Sequence, residues 1–211
     1  MKKLVPFFIA ITLVFAFVSC KSEAKKADYS SKSKSKTTKT EAAYSLKNAN
    51  HTINWVAYKT TDKIGVKGQF KKVNITKGGE GNSAKDAINN SEFSIPITSI
   101  FTKDTSRDFK IKKFFFGVMD KTELLSGKFM IENDSIGSVD LTMNGITKNL
   151  PFTYSLNGKI FNLKATMKIS DWNANDALTS LNDACKDLHK GADGVSKTWN
   201  DVSLNITSVF K

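Results

Sequence analysis

From residue 52 to residue 209 the chain repeatedly alternates apolar and polar side chains with a period of two. Phe161, Leu163, Ala165, Met167 and Ile169 fall on one parity, with Asn162, Lys164, Thr166 and Lys168 on the other. Val139, Leu141 and Met143 alternate with Asp140 and Thr142, and Phe152, Tyr154 and Leu156 with Thr153 and Ser155. Leu125, Gly127, Phe129 and Ile131 share a face, as do Phe93, Ile95 and Ile97, and later Val202, Leu204 and Ile206. A period of two marks strands with one buried face. With two more near 52–59 and 64–76, the pattern predicts about eight strands. Asn133-Asp134, Asn144-Gly145 and Asn157-Gly158 separate them, the last as a two-residue hairpin turn. The fold class is all-β and antiparallel. A sheet closed into a barrel removes its exposed edges, and a two-sheet sandwich is the alternative.

One segment follows another period. In DWNANDALTSLNDACKDLHKG, Ala177, Leu178, Leu181, Ala184, Cys185 and Leu188 recur at helical spacing. Asp171 or Asn173 can serve as N-cap, and Gly191 stands where a C-cap glycine belongs. The spacing predicts one amphipathic helix over 171–190, inserted before the last strand, packing on the barrel or covering its mouth.

The N-terminus is of a different kind. Residues 1–19 have a basic start, an apolar run from Leu4 to Val18 and a small residue at Ser19, the layout of an export signal. The run is short against the ~20 residues of a membrane-spanning helix. Phe17-Val18-Ser19-Cys20 resembles a bacterial lipobox, with Phe17 where Leu is usual, which makes Cys20 the expected lipidated residue. Residues 20–43 are rich in Lys, Ser and Thr and poor in large apolar side chains, and they read as a flexible tether. The folded domain is expected over 44–211. An exported chain anchored through Cys20 belongs in the cell envelope, and Lys21-Ser22 lacks the Asp of inner-membrane retention, which points to the outer membrane. With Cys20 acylated, Cys185 has no partner for a disulfide and reads as a buried structural thiol.

Charge changes this picture less than the total suggests. The formal net charge is +12. Lys2 and Lys3 lie in the signal, and the tether carries seven lysines against Glu23, Asp28 and Glu41, which leaves +6 for 44–211. A secreted, anchored protein seldom meets nucleic acid, and basic charge alone is unspecific. The stretch TSRDFKIKKFFF (105–116) interleaves basic and aromatic residues as nucleic-acid and membrane binders do. A more local reading pairs Arg107 with Asp108 inside a loop, turns Lys110, Lys112 and Lys113 to water, and directs the following phenylalanines inward.

Catalytic chemistry has no visible constellation. His51 and His189 stand apart, with no His/Cys/Asp spacing of a metal site. Gly78-Gly79-Glu80-Gly81 follows a strand but precedes no helix, so it reads as a hairpin loop rather than a phosphate cradle. The expectation is a protein that is not an enzyme and has no catalytic or metal-ligating residues.

Several short motifs, in order, carry a resemblance. YSLKNANHTINWVAY places His51-Thr52 at a first-strand His-Ser, with Ile53 and Trp55 at inward positions. VKGQF supplies a Gly-x-Phe element, Arg107, Asp108, Phe115 and Phe116 an Arg-Asp segment followed by Phe-Phe, and LTMNGITK a Gly-x-Thr-Lys turn. Over about 44–210 the chain resembles the YceI-like family of periplasmic, lipocalin-like proteins. Lys110 stands where that family usually has a His, and Gly117 where it often has an Asp, so roles of those groups do not carry over. The resemblance implies an eight-stranded lipocalin-like barrel around a long apolar pocket associated with polyisoprenoid or prenylated quinone-like lipids. No other cofactor is implied.

Inward rows of Phe, Leu, Ile and Met would equally suit a barrel filled by its own side chains. Two functions follow. A hollow barrel would bind or carry an apolar isoprenoid-like lipid, with Trp55, Phe70, Phe101, Phe115, Phe129, Phe152 and Phe161 as wall residues. A solid barrel would be a structural or interaction protein of the envelope. The expected partners are an apolar lipid and, through Cys20, the membrane, with no nucleic acid.

Overall fold

The computed structural model describes residues 42–211. The expected signal, Cys20 and the tether up to residue 41 lie outside the described residues. The strands are β1 (Tyr44–Ser45), β2 (Asn50–Lys59), β3 (Ile64–Phe70), β4 (Asn74–Lys77), β5 (Glu80–Gly81) and β6 (Glu92–Pro96). They continue as β7 (Ile100–Phe101), β8 (Leu124–Ile131), β9 (Ile136–Met143), β10 (Ile146–Asn157), β11 (Ile160–Lys168) and β12 (Thr198–Val209). The α-helices are α1 (Ala84–Ile88), α2 (Thr105–Lys110) and α3 (Asn175–Ala184).

Ten strands form one antiparallel sheet in the order β4-β6-β8-β9-β10-β11-β12-β2-β3-β7. Both ends of that order are halves of longer strands. β3 and β4 are one strand broken at residues 71–73, and β6 and β7 are one strand broken by the 3₁₀ turn Ile97–Ser99. Phe70 lies opposite Ile100 and Asn74 opposite Ser94, so both halves pair along nearly the same register. The sheet therefore closes on itself. Its ten segments are the eight expected strands of an up-and-down barrel, with β12 against β2 as the closing pair.

The expected parity holds along this wall. Phe161, Leu163, Met167, Val139, Leu141, Met143, Ile53 and Trp55 are all buried on the inner face. Asn144 and Gly145 both have positive φ, 52° and 67°, in the two-residue turn between Met143 and Ile146. The next hairpin lies one residue later than its Asn-Gly suggests. Asn157 pairs with Ile160, and Gly158 takes the first central place at φ 58°.

Three inward aromatics lie directly opposite glycines on the next strand: Trp55 on Gly68, Phe93 on Gly127, and Phe152 on Gly137. A Cβ on Gly127 would meet the Phe93 ring at 2.8 Å, and one on Gly137 the Phe152 ring at 2.6 Å. On Gly68 it would overlap the Trp55 indole outright. Each ring thus occupies the side-chain space its neighbour lacks and lies against the wall instead of reaching for the axis.

One end of the barrel is closed by the N-terminal segment and α1. β1 pairs with β5, and Ser83 caps α1 by accepting from Asp86 N–H at 3.1 Å. Ala84, Ala87 and Ile88 are buried there. His51 fastens this end: Nε2–H donates to the Leu46 carbonyl at 2.9 Å, and Nδ1 accepts from Ser208 Oγ at 2.8 Å.

The other end is covered by two helical segments. The one expected helix over 171–190 is in fact three pieces: a 3₁₀ turn at Ile169–Trp172, α3, and a 3₁₀ turn at Lys186–His189. Asn173 is left-handed at φ 52° and breaks the run, so neither it nor Asp171 caps α3. Gly191 falls in a later turn, donating N–H to the Val195 carbonyl at 2.9 Å. Trp172 anchors the first piece, its Nε1–H donating to the Leu141 carbonyl at 2.9 Å. The second covering segment is 105–118, in which α2 runs into a π-helical turn (Ile111–Phe115) and a 3₁₀ turn (Phe116–Val118).

Gly68→Ala forces the Trp55 ring off the wall, an overpacking change that costs about 1–3 kcal/mol. Urea unfolding of the variant should show that loss. An unchanged midpoint would mean the indole does not need this glycine.

Candidate functional site

The barrel axis holds an apolar cavity of ≈ 200 Å³. It reaches from Leu46 and Ile88 at the closed end to Leu178 and Leu181 of α3 at the other. Its lining side chains are apolar except for His51, Thr198 and Ser208; the Trp199 indole nitrogen is spent on the Thr60 carbonyl at 2.7 Å, and that of Trp55 is shielded from the open space. Dry apolar cavities of ~150 Å³ admit a benzene-sized guest, whereas drug-sized pockets start near ~300 Å³. The interior is thus hollow but narrow.

Five of the seven expected wall residues line this cavity: Trp55, Phe70, Phe115, Phe129 and Phe161. Phe101 does not. The 3₁₀ turn at Ile97–Ser99 resets the parity, so Ile100 points inward opposite Phe70 while Phe101 is exposed, with Lys71 Nζ 4.6 Å from its ring centroid. Phe152 faces inward but is spent on packing, against Gly137 and beside Phe129 and Tyr154 at centroid distances of 6.0 and 6.2 Å.

The expected loop pair is corrected twice. Arg107 and Asp108 lie on α2, where successive residues diverge and cannot meet. Arg107 Nη2 lies 3.5 Å from Asp104 Oδ2. Asp108 is buried and accepts from Thr102 N–H at 2.8 Å and Thr102 Oγ1 at 2.6 Å. Asp104 caps the helix by accepting from Arg107 N–H at 3.0 Å, and that bond, with the nearby guanidinium, holds its carboxyl below the usual range. These bonds fix α2 to the end of β7. The wide π-helical turn that follows brings Ile111, Phe115 and Phe116 onto the cavity, Phe115 edge-on to Phe116 at 4.9 Å. Phe109 is exposed, and Lys113 Nζ stands 5.5 Å from its ring centroid.

A second hollow of ≈ 190 Å³ adjoins the first. Both are bounded by Trp55, Ala57, Ile111, Leu181 and Thr198. The second differs in character, since Lys59, Asp104, Arg107, Lys110, Cys185 and His189 also line it. Between Thr198 and Val202 the β12–β2 register shifts, which turns Thr198 and Trp199 toward the cavity. Thr198 Oγ1 donates to Asn182 at 3.0 Å, so His189 Nδ1–H donates to Thr198 at 2.7 Å. Burial first, then the charges of Lys59 and Lys110, push the His189 pKa down to about 4. Burial likewise raises the Cys185 thiol. The sequence shows no trace of this basic vestibule, because its members come from β2, α2 and the segment after α3.

Among the described residues no group of three or more His, Cys, Asp or Glu is placed to hold a metal ion. Nor is any described helix long and apolar enough to cross a membrane.

Residues 44–210 match the YceI-like domain. The chain is similar in structure to a polyisoprenoid binding domain from Saccharophagus degradans implicated in plant cell wall breakdown. That pair has a TM-score of 0.58 and 12% identity, covering 81% of this chain and 98% of the other. BcnA from Burkholderia cenocepacia has a TM-score of 0.51 and 15% identity, covering 75% of this chain and 95% of the other. The YCEI protein of Campylobacter jejuni has a TM-score of 0.50 and 21% identity, covering 69% and 85%. At these identities the likeness is one of fold. No curated protein sequence matches the chain.

The His189 environment sets a pH dependence. Unfolded, the imidazole takes its proton near 6.5; folded, only near about 4. Between those values the unfolded state binds more protons, so this contribution is whole above pH ~6.5 and lost as pH falls toward 4. Urea midpoints from pH 7 to 4.5 should drop for the wild type and drop less for His189→Gln. Equal slopes would assign the titration to another group.

Proposed function

The chain belongs to the YceI-like family, and from that premise we propose that its barrel takes up an apolar, isoprenoid-like chain along the axis. The observation that carries this reading is the continuous hydrocarbon lining of a hollow that runs between the two ends of the barrel. The polyisoprenoid binding domain of like fold supports it. Each methylene transferred from water contributes ~0.8 kcal/mol, so affinity would rise with chain length and not depend on any single contact. With a volume of ≈ 200 Å³ the cavity accepts only part of a long chain. The remainder would have to part the helical cover or leave through the vestibule. Trp55, Phe70, Phe115, Phe129 and Phe161 are the proposed contact residues, and the role is binding or carrying, not catalysis.

The setting is the envelope, in keeping with the export signal and with Cys20 as the lipidated anchor. Residues 20–43 would then give the barrel reach from the outer membrane. The rival reading, a structural protein with a solid interior, calls for a filled lumen, and the cavity between β2, β9, β11 and the helical cover weighs against it.

Organic extraction and mass spectrometry of the full-length protein, purified from its own envelope, should recover an apolar lipid. Recovery of none would sink the carrier reading. Phe115→Ala should lower the lipid recovered per folded molecule. Phe152→Ala should cost about 3–5 kcal/mol of stability, as large-to-small core changes do, and leave lipid per folded molecule unchanged. The opposite pattern would exchange their roles.

A further inference from the structure

The covering segment 105–118 is apolar on two sides, and only one of them meets the barrel. Ile111, Phe115 and Phe116 turn onto the cavity. Phe109 is 55% and Val118 50% exposed, and Phe114 is half-buried. Lys113 Nζ stands 5.5 Å from the Phe109 ring centroid and 5.2 Å from that of Phe114, so one ammonium and two rings form a single patch. Residues 109–118 carry Lys110, Lys112 and Lys113 and no carboxylate. None of these lysines makes an ion pair among the described residues. Phe109, Lys112, Lys113, Phe114 and Val118 line neither hollow, so the patch is no part of the interior. A single exposed phenylalanine is ordinary for a surface. Rings, an aliphatic side chain and unpaired lysines on one short segment are instead the composition of a helix at a membrane interface. There the rings enter the acyl boundary and the lysines reach lipid phosphates.

We propose that the outer face of residues 109–118 docks on an anionic lipid bilayer, with Phe109, Phe114 and Val118 entering the interface and Lys112 and Lys113 meeting lipid phosphates. Charge selects this occupant. Unpaired lysines complement an anionic surface, whereas a second copy of the same face would set like charges together. Chain geometry allows it as well. The described chain begins at the closed end, where β1 pairs with β5. With Cys20 as the lipid anchor, residues 21–43 span at most ~80 Å. The twelve-residue strands β10 and β12 are about 40 Å long. An anchor of that reach can pass the length of the barrel and let the helical end face the bilayer. The surface needs nothing of the cavity, so it stands or falls apart from the reading of the barrel as a binder of apolar chains.

The test uses the full-length protein, purified from its native cells and reconstituted into vesicles. Cys185 is buried and Cys20 is the expected acylated residue, so an engineered cysteine is the one a fluorescent dye will label. One dye goes on Val118→Cys and a second, in a separate sample, on Lys159→Cys in the exposed turn at the closed end. In vesicles of phosphatidylcholine mixed with phosphatidylglycerol, lipids bearing a nitroxide on the acyl chain should quench the dye at 118 and spare that at 159. The quenching should fall with salt and in phosphatidylcholine alone. Removing two lysines from an anionic surface lowers the docked-to-free ratio roughly thirtyfold. Lys112→Gln/Lys113→Gln should therefore abolish the quenching, and Phe109→Ser should weaken it, both with unchanged urea midpoints because these side chains lie outside the core. Quenching at 159 equal to or above that at 118 would overturn the proposal, as would quenching indifferent to lipid charge and to both variants. A dye at 118 that becomes shielded without vesicles as protein concentration rises would assign the face to a second copy of the chain and overturn it too.

Discussion

Three aromatic rings laid on three glycines decide what kind of barrel this is. An eight-stranded barrel has an interior just wide enough for its own side chains to fill. Large inward aromatics would ordinarily meet at the axis and leave no hollow. Here Trp55, Phe93 and Phe152 rest instead on Gly68, Gly127 and Gly137 of the facing strands, and their bulk is absorbed by the wall. The rings still bury their area and contribute to stability, while part of the lumen between them stays open. The same arrangement explains why the glycines sit in mid-strand, where the absence of a side chain would otherwise weaken the sheet.

A hollow interior puts its demands on the ends. At one end the His51 imidazole joins the Leu46 carbonyl to Ser208, tying the segment before the first barrel strand to the last strand. At the other end the closure is a pair of short helical pieces, held by a few polar anchors: Asp108 on Thr102, Trp172 on the Leu141 carbonyl, and Asn144 on the Trp172 carbonyl. Short helices held by a few specific bonds are easier to part than a barrel wall. For the proposed uptake of an apolar chain, this asymmetry favours the helical end, where the basic vestibule also lies.

Strand parity was legible in the sequence because a one-residue slip would turn a whole apolar row to water. The rows at 139–143 and 161–169 fall on the inner face as their alternation indicates. Parity fails where the backbone leaves the strand without a change in composition. Phe101 looked inward by its size, but the turn at Ile97–Ser99 gives that direction to Ile100. TSRDFKIKKFFF read as a loop because its mixed Lys and Phe fit neither period cleanly; a π-helical turn makes adjacent Phe115 and Phe116 share one face. The pairing of Arg107 with Asp108 went wrong for the same reason, since neighbours on a helix diverge. The vestibule was beyond reach, as nothing in a single strand or helix announces residues gathered from three distant segments.

The account stands on a lumen that holds an apolar chain. A crystal structure of the protein purified from its native cells tests this most directly. Continuous elongated density along the axis between Trp55 and Phe161 is the result the account predicts. A lumen closed by side chains meeting across the axis, with no such density, would contradict it.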